Sequence, residues 1–283
     1  MKQVVQELNQ RVPSVKDVPP PQLRPQGVLV RTAASLVSAG TERTLVDFAR
    51  KNLVEKARAR PDLVRQAVDK AQREGWISTI EGVRNRMAQP VTLGYSSAGL
   101  VSEVGSEVGH LKCGDRVACG GGGYASHAEV AYVPRTLVVR LPNSVSFEAG
   151  AFATLGAVAM QGVRQAGVSV GESVSVIGLG LLGQLTVQIL KAAGCRVLAI
   201  DPDGNRCALA GEVGADVTAS PGDAAERSDK ITGGHGFDSV IITAGSQSNE
   251  PVVLAGELSR DRGIVVAVGA VDLQIPRKVY YEK

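Results

Sequence analysis

The spacing of apolar side chains changes twice along this chain. Between Val4 and Ala39, and again between Val91 and Val139, short β-branched runs are broken by Pro and Gly, as in VPPPQLRPQGVLVRTAAS and GDRVACGGGGYASHAEVAYVP. Strands of about five residues with turn residues between them predict a small barrel or sandwich. Residues 43–90 differ: apolar positions recur at helical spacing among strong helix formers, with Pro61 placed to open a helix and Gly75 to end it. From Ser146 onward, continuous apolar runs (VSVIGLG, RVLAID) alternate with helical stretches (GQLTVQILKAAG, RCALAGEVGA), and FEAGAFATLGAVAMQGVRQA reads as one helix. Apolar strands without alternation, joined by helices, mark a parallel sheet covered on both faces. The expected fold is α/β. A β-rich domain over 1–145, with a helical insert at about 43–90, precedes a doubly wound parallel sheet over 146–283.

Composition narrows the function classes. Hydrophobic residues at 44% and charged residues at 21% suit a soluble globular protein. A net charge of +3 is too small to argue for nucleic acid. The insert holds 11 Lys/Arg against 6 Asp/Glu, which fits an amphipathic hairpin with a solvated face or, alternatively, a contact for a partner or an acidic substrate tail. No apolar run approaches the roughly 18 residues a membrane span needs. MKQVVQELNQRVPSV lacks the apolar centre of a signal peptide, so the cytoplasm is expected. Cysteines at 113, 119, 195 and 207 form no Cys-x-x-Cys pair. They are expected to be reduced and packed as small hydrophobes.

The motif with the most chemistry is Gly178-Leu179-Gly180-Leu181-Leu182-Gly183, set between a buried strand and an apolar helix. In that context the first glycine permits the turn, the second lets backbone approach a pyrophosphate, and the third lets helix pack on strand. The helix start adds unpaired N–H groups and a partial positive charge. Asp201 closes the next strand, where a carboxylate grips the adenine ribose hydroxyls and repels a 2′-phosphate, so NAD(H) is expected over NADP(H). Arg206 is placed to reach the same ribose, to neutralise the acid, or to face solvent. Thr243, Ala244 and Gly245, with Val268 and Gly269, lie at two further strand ends on the same edge.

The fingerprint with Asp201, VLVRTAASLVSAGTE and LGYSSAGLVSEVGSEVGHLKCGDRVA together resemble the medium-chain dehydrogenase/reductase superfamily, which joins a GroES-like domain to a Rossmann domain. The likeness covers nearly the whole chain, and the third of these blocks is its most specific part. SAGTER, the insert and LGYSSAG are more narrowly similar to the N-terminal portion of bacterial bi-domain oxidoreductases. Those continue into a second Rossmann domain of the inositol dehydrogenase/glucose–fructose oxidoreductase type.

The resemblance implies a nicotinamide cofactor and a small-molecule substrate, and it exposes departures. Where zinc members carry a cysteine this chain has Ser38; where they carry a His-Glu pair it has Tyr95 and Ser96; near their third ligand it has Thr154. Hydroxyls are poor Zn²⁺ ligands, so no metal is expected. Thr41 matches the family's Ser/Thr that hydrogen-bonds the reacting oxygen. The expected catalytic set is Thr41, Tyr95 and Ser38, with Ser96 beside them. The alternative is that they fill space left by an abandoned metal site. Glu42 follows the family's supporting acid and either orients a donor or faces solvent. His127 falls where the family often has a structural aromatic; the alternatives are that it acts as a general acid, or that Tyr124 close by lines the cleft instead. His110 and His235 read as surface turns.

The leading expectation is an NAD(H)-dependent oxidoreductase acting on an alcohol or carbonyl without zinc. An NADPH-dependent quinone or enone reductase is the alternative within the class, and a non-catalytic cofactor-binding or docking module the alternative outside it. Neither nucleic acid nor membrane is an expected partner. The family adds a sixth Rossmann strand, at which subunits pair, where this chain has only DLQIPRKVYYEK. The sequence therefore predicts a C-terminally incomplete Rossmann domain. Its exposed strand near Val265 would serve a homodimer, or a second oxidoreductase domain would be covalently linked.

Overall fold

The computed structural model describes residues 1–7, 10–50, 55, 58, 65, 90–281 and 283. Most of the expected insert, including the helix from Pro61 to Gly75 apart from Arg65, lies outside the described residues. The chain divides into two compact units, Met1–Thr154 and Leu155–Lys283.

In the first unit, β1 (Lys2–Gln6) pairs antiparallel with β2 (Ser14–Asp17) and β4 (Val91–Thr92). A five-stranded antiparallel sheet follows, formed by β3 (Gly27–Ser35), β5 (Ser96–Val104), β6 (Arg116–Gly120), β7 (Val130–Pro134) and β8 (Val138–Arg140) in the order β7-β3-β5-β6-β8. Alternating side chains, among them Val28, Val30, Val117, Cys119, Ala131 and Val133, turn inward to form its core. Register shifts between Leu29 and Val30 and between Thr32 and Ala34 let the sheet curl into the GroES-like half-barrel. Helix α1 (Ala39–Arg50) starts ahead of the predicted insert boundary at residue 43, with Thr41 and Glu42 in its N-terminal part.

The single helix expected from Phe147 to Ala166 is two: α2 (Phe147–Gly150), capped by the Ser146 side chain, and α3 (Ala153–Ala166). A side chain from β5 supplies the reason. The Ser96 hydroxyl donates to Ala151 O at 2.6 Å and accepts from Thr154 N at 3.3 Å. It thereby satisfies a carbonyl and an N–H that a continuous helix would have paired internally.

The second unit is a parallel sheet of β9 (Ser173–Ile177), β10 (Arg196–Ile200), β11 (Val217–Ala219), β12 (Phe237–Ile242) and β13 (Ser259–Ala267), in the order β11-β10-β9-β12-β13. Helices α4 (Leu181–Ala192), α5 (Gly204–Glu212), α6 (Ala224–Thr232) and α7 (Glu250–Leu258) connect the strands. Val174, Val176, Val197 and Ala199 join Val187, Leu190 and Ala210 in one core. Ile177, Leu198, Ile200 and Val240 join Ala224, Ile231 and Val252 in another. Burial on both faces is why these strands read as continuous apolar runs.

β13 contains a turn that its composition did not announce: Arg262 has φ +60°, a left-handed conformation costing a residue with a Cβ about 1–2 kcal/mol. Arg262→Val should therefore lower the unfolding free energy by about 1 kcal/mol, whereas Arg262→Gly leaves it equal or higher. Urea unfolding of the two variants checks this, and the reverse order would contradict the turn.

Candidate functional site

The second unit's site begins where β9 ends. Gly178 has φ +97°, and a Cβ there would lie 2.5 Å from Ala244 N. Gly183, in the first turn of α4, is packed so closely that a Cβ would lie 2.0 Å from Gly178 O. Gly180 is different. It is the N-cap of α4 with φ −67° and ψ −169°, a conformation open to any residue, and a Cβ there meets nothing within 4 Å. The first helical N–H to bond back is that of Gln184, to Gly180 O at 2.9 Å. The amides of Leu181, Leu182 and Gly183 thus have no intrahelical acceptor and gather at the positive end of α4 beside open space.

Leu179 serves the fold of this turn. Its side chain is in the core, and its N–H donates to Asp201 Oδ2 at 2.7 Å. The Thr243 hydroxyl donates to Gly178 O. The N–H groups of Val268 and Gly269 both donate to Ile242 O at 2.9 Å, and a Cβ on Gly269 would lie 2.0 Å from Ala244 O. Gly245 is exposed just beyond. The carboxyl ends of β9, β12 and β13 are therefore drawn together around the glycine turn.

Asp201 is 4% exposed. Its second oxygen accepts from Asp203 N at 2.9 Å, and Arg206 Nη1 stands 3.5 Å from Oδ2. Arg206 thus offsets the charge of the acid while its side chain stays about half exposed to solvent. A cleft of about 180 Å³ opens beside Asp201, lined by Pro202, Cys207, Thr218, Ser220 and Arg227 among others. Sequence reasoning passed over Gln184, whose buried Nε2 donates to Leu179 O at 3.1 Å and Arg206 O at 2.9 Å, tying the glycine turn to α5. Its place directly after the motif was the available signal.

In the first unit, Ser38 and Tyr95 come together: Tyr95 Oη donates to Ser38 Oγ at 2.8 Å. Ser38 is buried at the start of α1. Glu42 N donates to Ser38 O at 2.9 Å, and Ser38 N donates to Glu42 Oε1 at 2.8 Å. Glu42 Oε2 lies 3.1 Å from His127 Nε2, and His127 Nδ1 lies 2.9 Å from Ser35 Oγ. Glu42 is therefore not a surface acid, and His127 is built into the same network. Thr41 is exposed on the first turn of α1 and is not brought into this network. Ser96 is occupied at the start of α3, and Thr154 Oγ1 donates to Cys119 O at 3.4 Å. Tyr124 packs its ring 6.4 Å from that of Tyr132. His110 and His235 are exposed. Among the described residues, no group of three or more His, Cys, Asp or Glu is placed to hold a metal ion.

The cysteines are free, but Cys113 is exposed rather than packed. Burial pushes the Cys119 thiol up to about 12, and burial also raises Cys195 and Cys207. The thiolate is the reactive form. Labelling the native protein near pH 8 should thus show one fast thiol, at Cys113, and rapid modification of Cys119 would contradict the packing of β6.

A parallel sheet with a glycine turn at the carboxyl end of its central strand defines a Rossmann-type dinucleotide fold, here joined to a GroES-like half-barrel. Comparison with known proteins agrees. The model for the alcohol dehydrogenase GroES-like domain matches residues 66–143, and that for zinc-binding dehydrogenase matches residues 182–281. Together the two matches span more than half of the chain, which belongs to the medium-chain dehydrogenase/reductase superfamily. It is 31% identical over 225 residues to an alcohol dehydrogenase of Geobacillus stearothermophilus, covering 68% of this chain and 64% of that protein. It is 35% identical over 156 residues to D-guloside 3-dehydrogenase of Escherichia coli K12, covering 54% and 44%. The chain thus spans less than two thirds of these relatives. A solved structure described as a zinc-binding dehydrogenase from Sinorhizobium meliloti 1021, bound to NADP, superposes with a TM-score of 0.73 at 25% identity, covering 97% of this chain and 78% of that one. Among the described residues, no helix is long and apolar enough to cross a membrane.

Proposed function

We propose that this chain is an oxidoreductase that moves a hydride between a bound nicotinamide dinucleotide, NAD(H) in preference to NADP(H), and an alcohol or carbonyl carbon, with hydroxyl donors in place of zinc. The observation that carries the reading is the turn from Gly178 to Gly183, open above Gly180 and bonded through Leu179 N to Asp201. The residues fit the cofactor. The unpaired amides and the dipole of α4 hold a diphosphate. Asp201 uses one lone pair of each oxygen on backbone N–H groups, which leaves acceptor capacity for ribose hydroxyls. Its negative charge disfavours a 2′-phosphate, while Arg206 offsets part of that charge. The family relative with NADP bound makes the second cofactor the necessary control.

When bound, the nicotinamide supplies or accepts the hydride; the chain's part is to hold the substrate oxygen and manage its proton. Ser38 Oγ accepts from Tyr95, so its own proton is free to be donated to a carbonyl oxygen, and Tyr95 restores it and regains a proton from solvent, to which it is partly exposed. Thr41 offers an exposed hydroxyl as a further donor. The donor set does not suit Zn²⁺: Ser38 and Tyr95 are bonded to each other, and both His127 nitrogens face Ser35 and Glu42. A preorganised donor contributes about 2.7–4 kcal/mol at a developing alkoxide, so one or two approach what a metal ion supplies.

Tyr95→Phe is accordingly expected to lower kcat about 100-fold while leaving the NADH dissociation constant within about twofold. Turnover of NADH and NADPH with aldehydes, ketones and sugar-derived ketones, and of NAD⁺ with secondary alcohols and polyols, finds the reaction. An undiminished kcat in Tyr95→Phe would remove the pair from the mechanism. A second reading is a cofactor-binding or docking module of a larger oxidoreductase. NADH binding without turnover across the panel would favour it.

A further inference from the structure

We propose that His127 is a positioning residue for the Tyr95–Ser38 hydroxyl pair, acting through Glu42 and through the chain segment that carries Tyr95. The proposal rests on the reading of that pair as the donors to the substrate oxygen. His127 and Glu42 have side chains 10% and 11% exposed and face each other at 3.1 Å. A carboxylate withdrawn this far from water needs partners, and Glu42 divides its two oxygens between His127 Nε2 and Ser38 N. The bond to Ser38 N and the return bond from Glu42 N to Ser38 O make a reciprocal closure at the helix start, akin to a capping box. Ser38 is thus held at both backbone groups, with its hydroxyl left to meet Tyr95.

The second tie runs to Tyr95. His127 N donates to Leu93 O at 2.8 Å. The ring stands against Gly94, where a Cβ would lie 2.8 Å from His127 Nδ1. Gly94, at φ +89°, immediately precedes Tyr95. The ring thus reaches Ser38 through Glu42 and stands beside Gly94, while the backbone N–H of the same residue holds the segment that carries Tyr95. Because a carboxylate only accepts, Nε2 carries the proton, and in the neutral ring Nδ1 accepts from the Ser35 hydroxyl. The ring is held on both edges and is not free to turn away.

The test uses the full chain with tyrosine labelled at ¹³Cζ, the Tyr95 resonance being assigned by its loss in Tyr95→Phe. His127→Phe keeps a ring but cannot bond Glu42, whereas His127→Gln offers an amide donor. The Tyr95 resonance should shift in His127→Phe and return towards its wild-type position in His127→Gln, with Tyr124, Tyr132, Tyr280 and Tyr281 unmoved. An unmoved Tyr95, or a shift shared by all five tyrosines, overturns the proposal. Should His127→Phe fail to fold, Glu42→Gln carries the same expectation for Tyr95. With a substrate found by the panel above, His127→Phe should lower kcat at least about tenfold at unchanged NADH affinity, with no further loss when combined with Tyr95→Phe; multiplicative losses would overturn it. If Tyr95→Phe turns over normally while the coupled shift persists, the reading of the pair as donors fails and the positioning by His127 stands.

Discussion

Replacing Gly180 by Val is expected to weaken NADH binding about 100-fold, or ~2.7 kcal/mol, while leaving the melting temperature within about 2 °C of wild type. The two halves have separate causes. The backbone of Gly180 is extended and nothing lies within 4 Å of a Cβ built there, so a branched side chain enters without strain. The space it enters is the one from which the amides of Leu181, Leu182 and Gly183 are approached. Losing one or two charge-assisted hydrogen bonds to a diphosphate, each worth about 1.5–3 kcal/mol, accounts for the loss. Calorimetric titration with NADH beside a thermal melt checks both. Wild-type affinity in Gly180→Val would mean that the cofactor does not approach the turn.

Gly183→Ala should do the opposite, acting first on stability. Its Cβ would fall 2.0 Å from Gly178 O and 2.9 Å from Thr243 Oγ1. The first obstacle is backbone, so α4 must lift from the end of β9. Overpacking of this kind costs about 1–3 kcal/mol or more, and the gain of about 1 kcal/mol in helix propensity does not cancel a displacement that also opens the cores holding Leu179 and Val187. We expect a net loss of about 2 kcal/mol by urea unfolding, with weakened NADH binding as a consequence. Unchanged stability would contradict the close approach of helix and strand. Together the two variants, three residues apart, are expected to separate the proposed ligand's space from a packing contact.

The glycine turn was legible because Gly178 and Gly183 answer local demands, a positive φ and close packing; at Gly180 the chain itself makes no such demand, and the proposed cofactor supplies it. The parallel sheet was legible for a related reason, since burial on both faces removes alternation from β9, β10 and β12. Features made by side chains far apart in sequence were not. Ser96 divides the helix after Ser146 from 55 residues away, and neither propensity nor periodicity along 146–166 reports it. His127 meets Glu42 across 85 residues, so a histidine in a turn and an acid in a helix start each look ordinary alone. Arg206 shows a third limit: the sequence left its partner open among ribose, acid and solvent, and only the folded chain shows it beside Asp201 and Asp203.

The proposed hydroxyl site can be read from its residue types and not from its geometry. Ser38 and Tyr95 meet, Thr41 stays on the exposed side of its helix, and Ser96 is spent on a helix terminus. Hydroxyl residues where the resemblance places metal ligands were visible in the sequence; which hydroxyls are left with a free donor depends on bonds that only the fold creates.

The most direct test of the account is an isothermal titration of the full chain with NADH and, separately, with NADPH. One NADH site per chain is expected, with weaker binding of NADPH and loss of the NADH heat in Gly180→Val. A folded chain that gives no heat with either nucleotide, or that binds NADH equally well with Val at position 180, would contradict it.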